Sequence, residues 1–144
     1  MKTILTSLAL AAFAALATIP AQAEEDHAHH MLEGYFAVAD ALYKDDLEAA
    51  KKAASGMVKH DGDSALAEPA GKIAEAADIA AAREAFKTMS ASAIEMAGKH
   101  GDEKYTVMNC PMVKGGGGDW LSADGKVNNP YFGAQMPHCG GPKK

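Results

Sequence analysis

Two short stretches near the carboxyl end hold the side chains best suited to chemistry. Asn109-Cys110-Pro111-Met112 is one, and Met136-Pro137-His138-Cys139-Gly140-Gly141 is the other. Cys110 and Cys139 are the only cysteines in the chain, and each has a methionine close by. Thiolate and thioether sulfur are soft donors that favour Cu(I) over harder ions. Zinc seldom takes a thioether and usually draws on Cys or His. Two residues apart in an extended strand, Cys110 and Met112 would project from the same side. Met136, His138 and Cys139 would supply a second set, and the two sets meeting in space would make a three- or four-donor Cu(I) site. The same cysteines could instead form a disulfide. On the chain-entropy model, closing a loop of that length stabilises the fold by about 3–4 kcal/mol. The residue types alone, in an oxidising compartment, favour the disulfide.

The compartment follows from the other end of the chain. Lys2 is followed by a largely apolar run from Ile4 to Ala17, and Ala21-Gln22-Ala23 has the form of a cleavage site. Residues 1–23 therefore read as a secretory signal peptide, too short and wrongly flanked for a membrane span. The expected mature chain begins at Glu24, and residues 24–144 form one domain. Export to the periplasm and no membrane insertion after cleavage are the corresponding expectations. The formal charge of the whole chain is −5, and loss of Lys2 makes the mature form one unit more negative. An acidic balance of this kind disfavours nucleic acid as a partner.

The elements that must position the sulfur ligands are mostly helices. Met31, Leu32, Tyr35, Phe36, Ala39, Leu42 and Tyr43 recur at three- and four-residue steps, as do Leu47, Ala50, Ala54, Met57 and Val58. Asp45 or Asp46 would cap the second of these helices, and Asp61-Gly62 would stop it. Leu66, Ala70, Ile73 and Ala77 suggest a third, shortened or kinked by Pro69. Asp78 opens the clearest one, with Ile79, Ala82, Phe86, Met89, Ala93 and Met96 on one face, ended by Gly98 or Gly101. The expected fold class is mostly α: a small antiparallel bundle of about four helices. Its alanine-rich faces require close helix approach. Residues 101–144 carry Gly115–Gly118, Asp124-Gly125 and Asn129-Pro130, and read as an irregular, glycine-rich segment. Its Tyr105, Trp120, Tyr131 and Phe132 would cover an open face of the bundle.

Read together, Cys110-Pro111-Met112, Trp120-Leu121-Ser122, Asn129-Pro130-Tyr131-Phe132-Gly133, Met136 and Cys139-Gly140 resemble a domain-of-unknown-function family, number 3347. Arg83, Phe86 and Ser90 match the family's Arg-x-x-Phe-x-x-x-Ser helix. Such domains occur alone in secreted bacterial proteins and appended to periplasmic adaptor subunits of copper- and silver-type efflux pumps. The resemblance implies a periplasmic setting and a link to Cu(I) or Ag(I), with Cys110, Met112, Met136 and Cys139 as the matching ligand positions. It raises the metal reading above the disulfide. His138 lies outside the pattern, and the Gly115–Gly118 run stands where the family usually has a more polar segment. The function expected is soft-metal sequestration or hand-off to an efflux system. The alternative is a disulfide-stapled module that docks on an efflux adaptor, or on another envelope protein, without metal.

Other constellations are weaker. His27, His29 and His30 could form a metal-collecting arm, but a solvated, frayed helix start accounts for them as well. Met31 and His100 could hold a b-type haem as an electron carrier, although a core methionine and a helix-end histidine are the simpler reading. No Ser-His-Asp order or phosphate loop is present, and the glycine run lacks the Lys-Ser/Thr that a phosphate cradle needs. CxxC is absent too, which removes the thioredoxin-like reading. The chain is not expected to be an enzyme.

Overall fold

A computed structural model describes residues 21–100 and 104–144. Most of the expected signal peptide, residues 1–20, lies outside the described residues. Four helices appear among the described residues: α1 (Ala21–Tyr43), α2 (Leu47–His60), α3 (Ala67–Ala74) and α4 (Ile79–Lys99). Among those residues, no helix is long and apolar enough to cross a membrane.

Local chemistry accounts for the helix boundaries. Asp46 and Asp78 each have extended backbone and accept a hydrogen bond from the N–H three residues on, which caps α2 and α4. Pro69 sits in the first turn of α3, where its missing N–H costs nothing. Helix α3 ends at Ala74, before the fourth position expected for it. Ala76 is buried there and Ala77 is exposed. Helix α4 runs through Gly98 and ends at Lys99 with His100 as its C-cap; Gly101, the other expected stop, lies outside the described residues.

In the bundle α1 packs on α2, α2 on α3, α3 on α4, and α4 returns to α1. Small residues make this possible. Ala50, Ala54, Ala70, Ala82 and Ala93 are fully buried. Gly34 is needed where α2 crosses α1, because a Cβ there would stand 2.5 Å from Met57 Cγ. On α4 the expected inward face holds at Ala82, Phe86, Met89 and Ala93, with Ile79 and Met96 half-buried at its ends.

The carboxyl segment packs on the bundle as its aromatic residues suggest, but it is not wholly irregular. It forms a three-stranded antiparallel sheet from β1 (Thr106–Cys110), β2 (Gly118–Ser122) and β3 (Gly141–Pro142), in the order β2-β1-β3. Gly115, Gly116 and Gly117 all take positive φ in the turn from β1 to β2, which suits glycine alone among common residues. Met108 and Cys110 point inward from β1, and Trp120 and Leu121 are buried on β2.

The Arg83, Phe86 and Ser90 positions of α4 form the socket for this sheet. Phe86 stacks on Tyr35 (ring centres 5.3 Å apart) and meets Tyr131 edge-on at 5.5 Å. The buried Tyr35 hydroxyl shares a 2.8 Å hydrogen bond with Ser90 Oγ and accepts one from the Leu121 N–H at 3.0 Å. Arg83 donates to the carbonyls of Pro130 and Leu42 and to the Asp45 carboxylate. One guanidinium thus ties together the ends of α1, α4 and the carboxyl segment.

Candidate functional site

The structure brings Cys110 and Cys139 together, with their Sγ atoms 3.0 Å apart. No S–S bond joins them in this structure. Strand pairing produces the meeting. Asn109 pairs with Gly141 across β1 and β3, so Cys110 at the end of β1 comes beside the Cys139-Gly140 entry to β3. Gly140 takes φ 120°, and a Cβ there would lie 2.5 Å from the Asn109 carbonyl oxygen. Only glycine lets the two strands approach this closely.

The loop that carries Cys139 is held from beneath by Asn129. This buried side chain donates to the Cys139 carbonyl and accepts from the Tyr131 N–H, both at 2.8 Å. The Asn129 backbone N–H also donates to the Pro137 carbonyl. Gly133 passes so close to Asp45 and Arg83 that a side chain there would collide with them. These contacts give a physical role to the Asn129-Pro130-Tyr131-Phe132-Gly133 block.

The two thiols differ in environment. Cys110 is fully buried, whereas Cys139 is half-buried and lines a groove of about 1070 Å³ between α4 and the sheet. Lys87, Ile94, Asn109, Asp119 and Lys143 also line this groove. The hydrogen bond with Cys110, then burial, then the charge Cys110 carries once ionised, push the Cys139 thiol above the ordinary cysteine range. A second negative charge beside the first is unfavourable without a cation between the two sulfurs.

The remaining expected ligands are placed less favourably. β1 ends at Cys110, so the extended geometry that would align Met112 with it is absent. Met112 lies on the following turn and is 61% exposed. Met136 is half-buried at the end of a 3₁₀ turn (Gly133–Gln135), and its carbonyl accepts from the Cys139 N–H. His138 is exposed, and its Nδ1 stands 2.8 Å from the Val127 carbonyl oxygen. As a donor to that carbonyl, Nδ1 leaves Nε2 with the lone pair. Met31 and His100 face different hollows. Met31 is in the core and borders one with His30, Gly34 and Met57, while His100 borders another with His27 and Met96. Among the described residues, no group of three or more His, Cys, Asp or Glu side chains stands ready as a metal cage.

The fold and this site define a small helical bundle carrying a dithiol on a β-sheet appendage. The chain belongs to DUF3347, a family of unknown function, whose model matches residues 31–104. That match spans α1 from Met31 through the end of α4 and includes the Arg83, Phe86 and Ser90 socket. The sheet and both cysteines lie beyond it. No curated protein and no solved structure matches the chain.

Proposed function

We propose that this protein is a periplasmic carrier of soft monovalent metal, Cu(I) or Ag(I), and that Cys110 and Cys139 hold the ion. The observation that supports this reading is the meeting of the two cysteines, one buried and one bordering a groove; their sulfurs, 3.0 Å apart, separate to admit the ion. Two thiolates suit a soft ion of low coordination number, and the ion offsets the repulsion between them. Binding releases the thiol protons. Cys139, at the groove, is the ligand that an incoming donor reaches first, so transfer proceeds by ligand exchange and not by catalysis. Met136 and the exposed Met112 are auxiliary donors. The leader-like amino terminus supports a periplasmic setting, and the resemblance to domains appended to efflux adaptors supports such an adaptor as the acceptor of the ion.

The test is a Cu(I) titration of the reduced protein against a competing chromophoric chelator. One equivalent is expected to bind tightly. Cys110→Ser or Cys139→Ser should weaken it by roughly 100-fold or more, about 2.7 kcal/mol. Unchanged affinity in the double cysteine variant would refute the proposal.

The same sulfur contact favours a second reading, in which the pair serves as a disulfide staple for an envelope interaction module. The two thiols would give up two protons and two electrons to an oxidant of the cell envelope and form one S–S bond. Thiol counting on protein isolated from the periplasm without reductant separates the readings. Two free thiols per chain favour the carrier, and none favours the staple.

A further inference from the structure

The histidines of α1 have a partner that the sequence does not link to them. His27 and His30 are three residues apart and share one face of the helix. His60, the last residue of α2, is placed against both. The His27 and His60 rings stack with centres 5.4 Å apart and planes 19° from parallel, and the His30 and His60 centres are 4.1 Å apart. Asp61 follows at once, and its carboxylate lies 2.7 Å from His27 Nε2. Glu33 lies 3.7 Å from His30 Nδ1. His30 and His60 are exposed and His27 is half-buried, so no core packing calls for three imidazoles here.

We propose that this end of the α1–α2 pair is a second metal site, distinct from the dithiol, which binds a borderline divalent ion of the Zn(II) or Cu(II) kind through His27, His30 and His60. Imidazole nitrogen suits such ions, whereas a thiolate pair suits Cu(I). Two imidazoles that share a tetrahedral ion at the usual metal–nitrogen distance of about 2 Å have ring centres roughly 5 Å apart. The observed spacings bracket that value. One carboxylate also sits where a metal-binding histidine needs it: Asp61 engages Nε2 of His27 and leaves Nδ1 for the ion. The rings now face one another, so the site is not preformed: the exposed His30 and His60 rings must rotate about their side-chain bonds to bring a nitrogen to the ion beside Nδ1 of His27, which keeps its Asp61 contact. Exposed side chains make such rotations within nanoseconds, and the helices need not move.

The experiment uses the Cys110→Ser/Cys139→Ser double variant, which removes the soft site. Zn(II) binding is followed by calorimetry, and Cu(II) binding by nitrogen hyperfine structure in the electron paramagnetic resonance spectrum. One equivalent of either ion should bind. His30→Gln and His60→Gln should each weaken binding at least 10-fold. His29→Gln, which changes a neighbouring histidine outside the stack, should leave it unchanged. Circular dichroism checks the fold of each variant. If the double variant does not fold, wild-type protein with its thiols oxidised serves in its place. Absence of binding, or binding that survives His60→Gln, would overturn the proposal.

Discussion

Cys110 and Cys139 sit in unlike surroundings, and the difference sets how they should titrate. Both must lose protons to hold a soft ion, and Cys139 does so at a higher pH than an ordinary cysteine because Cys110 is its neighbour. Cu(I) affinity should therefore rise with pH through and above the ordinary thiol range near 8.5. Competition titrations at several pH values would measure the slope, and a flat profile would mean that the thiolates are not the ligands. Met112→Leu and Met136→Leu should weaken binding much less than either cysteine variant, because thioethers are neutral donors. Asn129 is the residue that makes the pair possible without touching the ion. Asn129→Ala would leave the Cys139 carbonyl and the Tyr131 N–H without their partner and should destabilise the protein by about 1–3 kcal/mol. Its Cu(I) affinity should fall as well, since Cys139 is then free to drift from Cys110. Wild-type stability and affinity in this variant would remove Asn129 from the account.

Helix α4 packs on α3, on α1 and on the sheet, and Phe86 lies where they meet. The ring is fully buried between Tyr35 and Tyr131. Phe86→Ala should cost roughly 3–5 kcal/mol. It should also broaden the near-ultraviolet signal of Trp120, because the sheet loses its seat. A loss of only a few tenths in denaturant titration would show that this face bears little load. The helices were legible in the sequence because a 3.6-residue period is a local signal, repeated over three to five turns. Even there α3 slipped at its end, where Ala76 and not Ala77 turns inward. The sheet was not legible. TVMNC and GDWLS are five residues long without clean alternation, and the third strand is a two-residue Gly-Pro piece. Their pairing depends on partners far away in the chain, such as the Tyr35 hydroxyl on Leu121 and the Tyr131 hydroxyl on the Asp119 carbonyl. The cysteines, by contrast, were legible as a pair because there were only two. The stack of His60 on His27 and His30 had no local signal at all.

The molecule as a whole is a bundle and an appendage, and Asp45 helps to join them. Its backbone has φ 58°, an uncommon state for a residue other than glycine. From there its carboxylate accepts from the Ala134 N–H at 2.9 Å and pairs with Arg83 at 2.6 Å. A cap of α2 was one expectation for this residue, but Asp46 holds that role and Asp45 reaches the carboxyl segment instead. The Ala134 N–H first, and the Arg83 guanidinium second, hold the Asp45 carboxyl below the usual aspartate range. Asp119 is held low in the same way. Burial alone would raise it, but Lys143 and Asn109 outweigh that effect. A carboxyl with a depressed folded-state pKa binds fewer protons when folded than when unfolded. Its stabilising effect is present above the unfolded value near 3.9 and is lost as pH falls through the folded value. The join between bundle and sheet should therefore weaken below about pH 4. Trp120 fluorescence should report that loss before far-ultraviolet circular dichroism reports loss of helix. Asp45→Asn tests the assignment, because asparagine tolerates the same backbone state but cannot carry the charge. At pH 6 the variant should be less stable than wild type, and the gap should close as both are taken to pH 3. If the two proteins keep a constant difference across that range, the charge of Asp45 does not hold the sheet to the bundle.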